Sequence, residues 1–116
     1  MKRDLDDRLL RFSVRVIKLI EALPATASSR RIGDQLLRSG TSVGANYQEA
    51  QAAESRQDFV HKLQVALKEL RESNYWLRMI QEAEIMPAPR MHSIVDESTQ
   101  LVAIVSKCVA KAKEPR

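Results

Sequence analysis

Apolar residues recur along this chain at three- and four-residue steps, the period of one face of an α-helix. Leu5, Leu9, Phe12, Val16, Ile20 and Leu23 form a first stripe and predict a helix over about 4–23, closed by Pro24. A second stripe, Ile32, Leu36, Val43, Tyr47 and Ala50, predicts a helix over about 29–53, with Ser28 or Ser29 as its cap. The third is the clearest: Phe59, Leu63, Ala66, Leu67, Leu70, Asn74, Leu77 and Ile80, predicting a helix over about 56–85. It opens on Ser55–Arg56–Gln57–Asp58, a capping-box pattern with a carboxylate three residues after the serine. After Met86–Pro89, Ile94, Val95, Ser98, Leu101, Val102, Val105, Cys108, Val109 and Ala112 predict a fourth helix over about 90–113.

The segment Arg38–Ala50, RSGTSVGANYQEA, disturbs this reading with two glycines, two serines and a threonine. Its apolar phase nevertheless runs on without a break, and Gly40 falls in the stripe. Each interior glycine costs a helix roughly 1 kcal/mol relative to alanine. A helix that carries two of them is expected to use them for close packing. Four amphipathic helices with short connections predict an all-α fold, an antiparallel up-down-up-down four-helix bundle in one domain spanning residues 1–116.

Composition agrees with that fold. Aromatic residues make up 4% of the 116, and only 3 glycines and 4 prolines occur. One cysteine excludes an internal disulfide framework, and Cys108 on the apolar stripe reads as an inert core thiol. The N-terminal residues lack the apolar run of a signal peptide, and no segment reaches the ~20 apolar residues of a membrane span. A cytoplasmic location with no membrane partner is expected. The formal net charge is +4 with a pI near 9.5, which invites a nucleic-acid partner.

Three side-chain sets stand out from a plain bundle. Arg8, Arg11, Arg15 and Lys18 line one face of the first helix and are the candidate nucleic-acid contacts, acting on phosphate. No aromatic residue interleaves with them, so base stacking is not expected there. Gln35, Ser39, Ser42, Asn46 and Glu49 form a polar stripe on the second helix, and its solvent-exposed reading suits Gln35. Ser42, Asn46 and Glu49 are expected to make a packed polar seam, with Arg38, Lys62, Glu69 and Glu72 as partners. Val65, Trp76 and Met79 lie off the main stripe of the third helix; they read either as a broad core face or as a subunit interface.

Catalytic chemistry finds little material. His61 and His92 stand outside any motif, the glycines make no phosphate-binding loop, and the paired Glu-x-x-His motifs of a bundle di-iron site are missing. No catalytic residue, metal or cofactor is expected, and the protein reads as a non-enzyme.

The combination of RSGTSVGANYQEA with SRQDFVHKLQVALKELRESNYWLRMI resembles the four-helix-bundle family of 23S rRNA intervening-sequence proteins. The resemblance covers roughly Arg11 to Val109 and is most specific at Arg38, Ser39, Ser42, Asn46, Glu49, Ala50, Asp58, Phe59, Leu63, Glu69, Glu72, Trp76 and Leu77. It implies a bundle that assembles as a ring-shaped homopentamer. It also implies kinship with the accessory variability protein of diversity-generating retroelements, a basic pentamer that binds nucleic acid and a reverse transcriptase. The family carries no established catalytic residues. Two functions follow as expectations: an oligomer that binds RNA or DNA through basic faces, or a ring-shaped structural adaptor for another protein.

Overall fold

The structure is a computed structural model that describes residues 2–115, with side chains from residue 4 onward. Four helices follow one another: α1 (Lys2–Ala22), α2 (Ala27–Gln51), α3 (Arg56–Glu82) and α4 (Ala88–Ala112). Each packs on its neighbours in chain order, and α1 closes the ring against α4 with the slightest contact. Cross-helix hydrogen bonds show the directions. Along α1 from Asp6 to Ser13, the partners on α2 run backwards from Gln51 to Gly40. The same reversal joins Arg38 and Glu49 to Glu69 and Lys62, Arg71 and Asn74 to Ser106 and Ser98, and Arg8 and Arg15 to Glu97 and Ser93. The expected antiparallel up-down-up-down bundle is what forms.

Its core is built from the predicted stripes. Leu9, Phe12 and Val16 meet Leu36, Val43, Leu63, Leu70, Leu77, Leu101 and Val105, all buried. Removing such an apolar side chain from a packed core costs about 2–5 kcal/mol. Arg38–Ala50 lies wholly inside α2, so the glycine-containing segment is helix and not a loop.

The ends differ from expectation in instructive ways. Thr26, not Ser28 or Ser29, caps α2: its hydroxyl accepts from the Ser29 backbone N–H at 3.2 Å. Ser29 is itself buried in the first turn, with no hydrogen-bond partner for its hydroxyl among the described residues. The α3 cap is the predicted one, with Ser55 Oγ accepting from the Asp58 N–H at 3.0 Å. Helix α3 stops at Glu82, before the expected 85, because Glu84 turns into the left-handed region (φ 55). The Ile85 N–H then donates back to the Ile80 carbonyl at 3.1 Å, closing the helix end. Helix α4 begins at Ala88 rather than 90, with Pro89 in its first turn, where a missing N–H costs nothing.

Candidate nucleic-acid and assembly surfaces

The four α1 cations separate once the helices pack. Helix α1 leans its Arg8 side onto α4, and Arg8 grips Glu97 with two hydrogen bonds of 2.8 and 2.9 Å and reaches Gln100 at 2.9 Å. That bidentate bond lowers the Glu97 carboxyl below the ordinary carboxylate range, against the opposing effect of burial. Arg15 donates to Ser93 Oγ at 2.9 Å. Arg11 and Lys18 remain exposed. Sequence spacing places the four on one face; only packing decides that Arg8 is occupied in an intramolecular pair.

The polar seam and the Val65–Trp76–Met79 set come together as one surface. Val65, Glu69, Glu72, Trp76 and Met79 follow one another at three- and four-residue steps on the side of α3 that faces α2. Arg38 pairs with Glu69 at 3.0 Å and with Glu72. Glu72 in turn accepts the Trp76 indole N–H at 3.2 Å. The Arg38 hydrogen bond holds the Glu72 carboxyl below its usual range, the indole adding to it and burial opposing. Lys62 pairs with Glu49 at 2.7 Å, and their bond raises the lysine. Ser42 and Asn46 turn inward on their own helix: Ser42 Oγ donates to the Arg38 carbonyl at 2.6 Å, and Asn46 Nδ2 to the Ser42 carbonyl at 2.9 Å.

Deeper in the same seam lies Ser39, which the sequence reading placed on the polar stripe, and Ser73, which it did not single out. Both are fully buried, and their hydroxyl oxygens are 2.9 Å apart. Ser73 Oγ also lies 2.9 Å from the Glu69 carbonyl, which completes the local hydrogen bonding. Trp76 is half-buried and packs against the core.

Two outward features escaped the sequence reading. Leu10, Val14 and Ile17 are 64%, 42% and 38% exposed and form a stripe on α1, with Leu37 of α2 at 40%. Tyr75 is 54% exposed on α3 between Arg71 and Arg78. Both sets have helical spacing, i, i+4, i+7, which was countable in the sequence. The signal was masked because each helix has a stronger apolar stripe elsewhere.

Other chemistry is sparse. His61 and His92 are exposed on separate helices, and Cys108 is a half-buried free thiol packed against the core. Among the described residues, no three His, Cys, Asp or Glu side chains are placed to hold a metal ion, and no helix is long and apolar enough to cross a membrane.

Similarity to known proteins agrees with the geometry. Residues 5–107 match the family described as 23S rRNA-intervening sequence protein. A crystal structure of a protein of unknown function from the S23 ribosomal protein family of Bacteroides thetaiotaomicron VPI-5482 superposes with a TM-score of 0.84. It is 37% identical over 90% of this chain and 97% of its own. No curated protein matches the chain. With the family pattern covering nearly its whole length and a relative of the same architecture, this chain belongs to the 23S rRNA-intervening sequence protein family.

Proposed function

We propose that this protein is a non-enzymatic, self-associating helical bundle that holds nucleic acid through cationic surfaces. The observation that carries the reading is how the charges are spent. Among the described residues, four carboxylates, Glu49, Glu69, Glu72 and Glu97, are drawn into ion pairs with three cations, Lys62, Arg38 and Arg8. The charges outside these pairs keep a formal excess of positive charge, one unit above the overall +4. Arg11 and Lys18 stay exposed on α1, and Lys107 and Lys111 on α4. Such a surface attracts phosphate without reading sequence.

Self-association multiplies the effect. The stripe Leu10, Val14, Ile17 is apolar, exposed and continuous along α1, the kind of surface a second copy covers. The family resemblance supports a ring of five, whose formal charge would reach about +20. The family's description as 23S rRNA-intervening sequence proteins supports an RNA over a DNA ligand.

Light scattering separates the parts of this reading. The wild type is expected as an oligomer, and Val14→Asp as a folded monomer. Trp76→Glu, by contrast, should lose helicity, because that residue is part of the chain's own packing. A wild-type monomer at micromolar concentration would end the assembly claim. RNA retention should fall steeply with salt and fall further in Arg11→Glu/Lys18→Glu. Absence of any retention at low salt would refute nucleic-acid binding. Nuclease-insensitive association with a protein in its place would favour the adaptor function, and a gene beside a reverse transcriptase would extend the kinship to the accessory variability branch.

A further inference from the structure

The outward pole of α3 carries a cationic and aromatic face that the α1 cations lack. Lys68, Arg71, Tyr75 and Arg78 succeed one another at three- and four-residue steps, all exposed. None of the three cations belongs to an ion pair among the described residues; Arg71 makes one hydrogen bond, to Ser106 Oγ at 3.3 Å. Tyr75 stands between two open grooves. One, of about 620 Å³, is lined by Tyr75, Arg78, Met79, Glu82 and Ala83. The other, of about 260 Å³, is lined by Arg71, Asn74, Tyr75, Arg78, Thr99 and Val102. Glu82 at the far end of the first groove is the only carboxylate lining either.

The ring is also supported. Trp76 lies edge-on to Tyr75, with centroids 5.5 Å apart and planes at 66°. The Trp76 indole is bonded to Glu72, which is bonded to Arg38. The polar seam thus braces the neighbour of an exposed aromatic ring. An exposed Tyr with unpaired arginines one turn to either side suits an unpaired base with its flanking phosphates: every base has a stackable face, and the guanidinium groups take phosphate oxygens. A duplex hides its base faces and gains only the charge.

We infer that the Arg71–Tyr75–Arg78 face of α3 is a binding site for single-stranded nucleic acid, with a base stacked on Tyr75 and adjoining phosphates on Arg71 and Arg78. The inference rests on the nucleic-acid reading above and deepens it by naming the site and the strand state.

The test uses the full-length protein, a short single-stranded RNA carrying a central 2-aminopurine, and the same RNA annealed to its complement. The wild type is expected to bind the single strand more tightly and to quench the 2-aminopurine. Tyr75→Leu should weaken single-strand binding about tenfold or more and abolish the quench, with duplex binding unchanged. Tyr75→Phe should restore both signals, because stacking needs the ring and not the hydroxyl. Arg71→Ala/Arg78→Ala should flatten the salt dependence of single-strand binding by about 1.4 in log–log slope, about 0.7 for each lost phosphate contact. Tyr75 is exposed, so these variants should keep the wild-type circular dichroism. If Tyr75→Leu binds and quenches as the wild type does, the site is refuted while charge-driven binding stands. If the wild type binds neither probe, both readings fall. If polyglutamate binds with the same dependence on Tyr75, the face is a docking surface for an acidic protein and the inference is overturned.

Discussion

Helix α2 meets its two neighbours by opposite means. Toward α1 it presents Gly33, Gly40 and Gly44, and the contact is made by closeness. A Cβ on Gly40 would stand 2.9 Å from Val16 Cγ1, and the Ser13 hydroxyl reaches the Gly40 carbonyl at 2.8 Å. Toward α3 it presents Arg38, Ser39 and Glu49, and the contact is made by pairing: a buried serine pair inside, ion pairs outside. The first side is specified by missing atoms, and at Gly40 a single added carbon would spoil it. The second is specified by partners, and it weakens in steps as each is removed. One helix can carry both because, at ~100° per residue, the two sets lie roughly 100° to 180° apart around the axis.

The largest effect should come from the close side. Gly40→Val forces its branches into Val16, which is itself fully buried; stability should drop by about 3 kcal/mol in urea melts, the upper end of the cost of overpacking. A drop no greater than the helix-propensity difference would mean that the two helices can simply move apart.

Next comes the inner seam. Ser73→Ala should cost about 1–2 kcal/mol, since it leaves the buried Ser39 hydroxyl with only the Leu36 carbonyl at 3.4 Å. Adding Ser39→Ala should recover much of that loss, because no buried hydroxyl of the seam is then left underbonded. Simple additivity of the two changes would show that the hydroxyls are not coupled.

Gly44 sharpens the contrast in the other direction. Its added Cβ would lie 3.7 Å from Leu9 Cβ, ordinary contact distance. Gly44→Ala should therefore raise stability by about 0.5–1 kcal/mol through helix propensity alone. Opposite signs at Gly40 and Gly44, one helical turn apart, would locate the close approach at the level of Val16.

The smallest effect belongs to the outer ion pairs. Arg38→Met should cost at most about 0.5 kcal/mol, because half of the arginine side chain is exposed and screened by water. The effect has a defined pH signature. Arg38 depresses the Glu72 carboxyl, so its stabilisation is present above the ordinary carboxylate value of 4.5 and is lost as pH falls through the lower folded-state value. The gap between wild type and variant should close under acid titration. A gap that persists would assign the loss to packing of the arginine stem.

Periodicity carried much of this molecule into view. The four helices, the Ser55 cap and the helical state of Arg38–Ala50 follow from spacing within one segment, as does the pairing potential of Arg38, Glu69 and Glu72. Each depends on which way a side chain points around its own axis, and the order of residues determines that. Spacing could not show that Arg8 is taken by Glu97, 89 residues away, or that Thr26 caps α2 while Ser29 is buried. Spacing shows that Leu10, Val14 and Ile17 share a face, but not that this face stays uncovered, nor that Tyr75 stands between two grooves that α3 shares in part with α4. Those outcomes depend on how far each helix slides and turns against its neighbours. That stagger is set by the sum of many small packing contacts, among them the Gly40–Val16 approach, and no single stretch of sequence contains it.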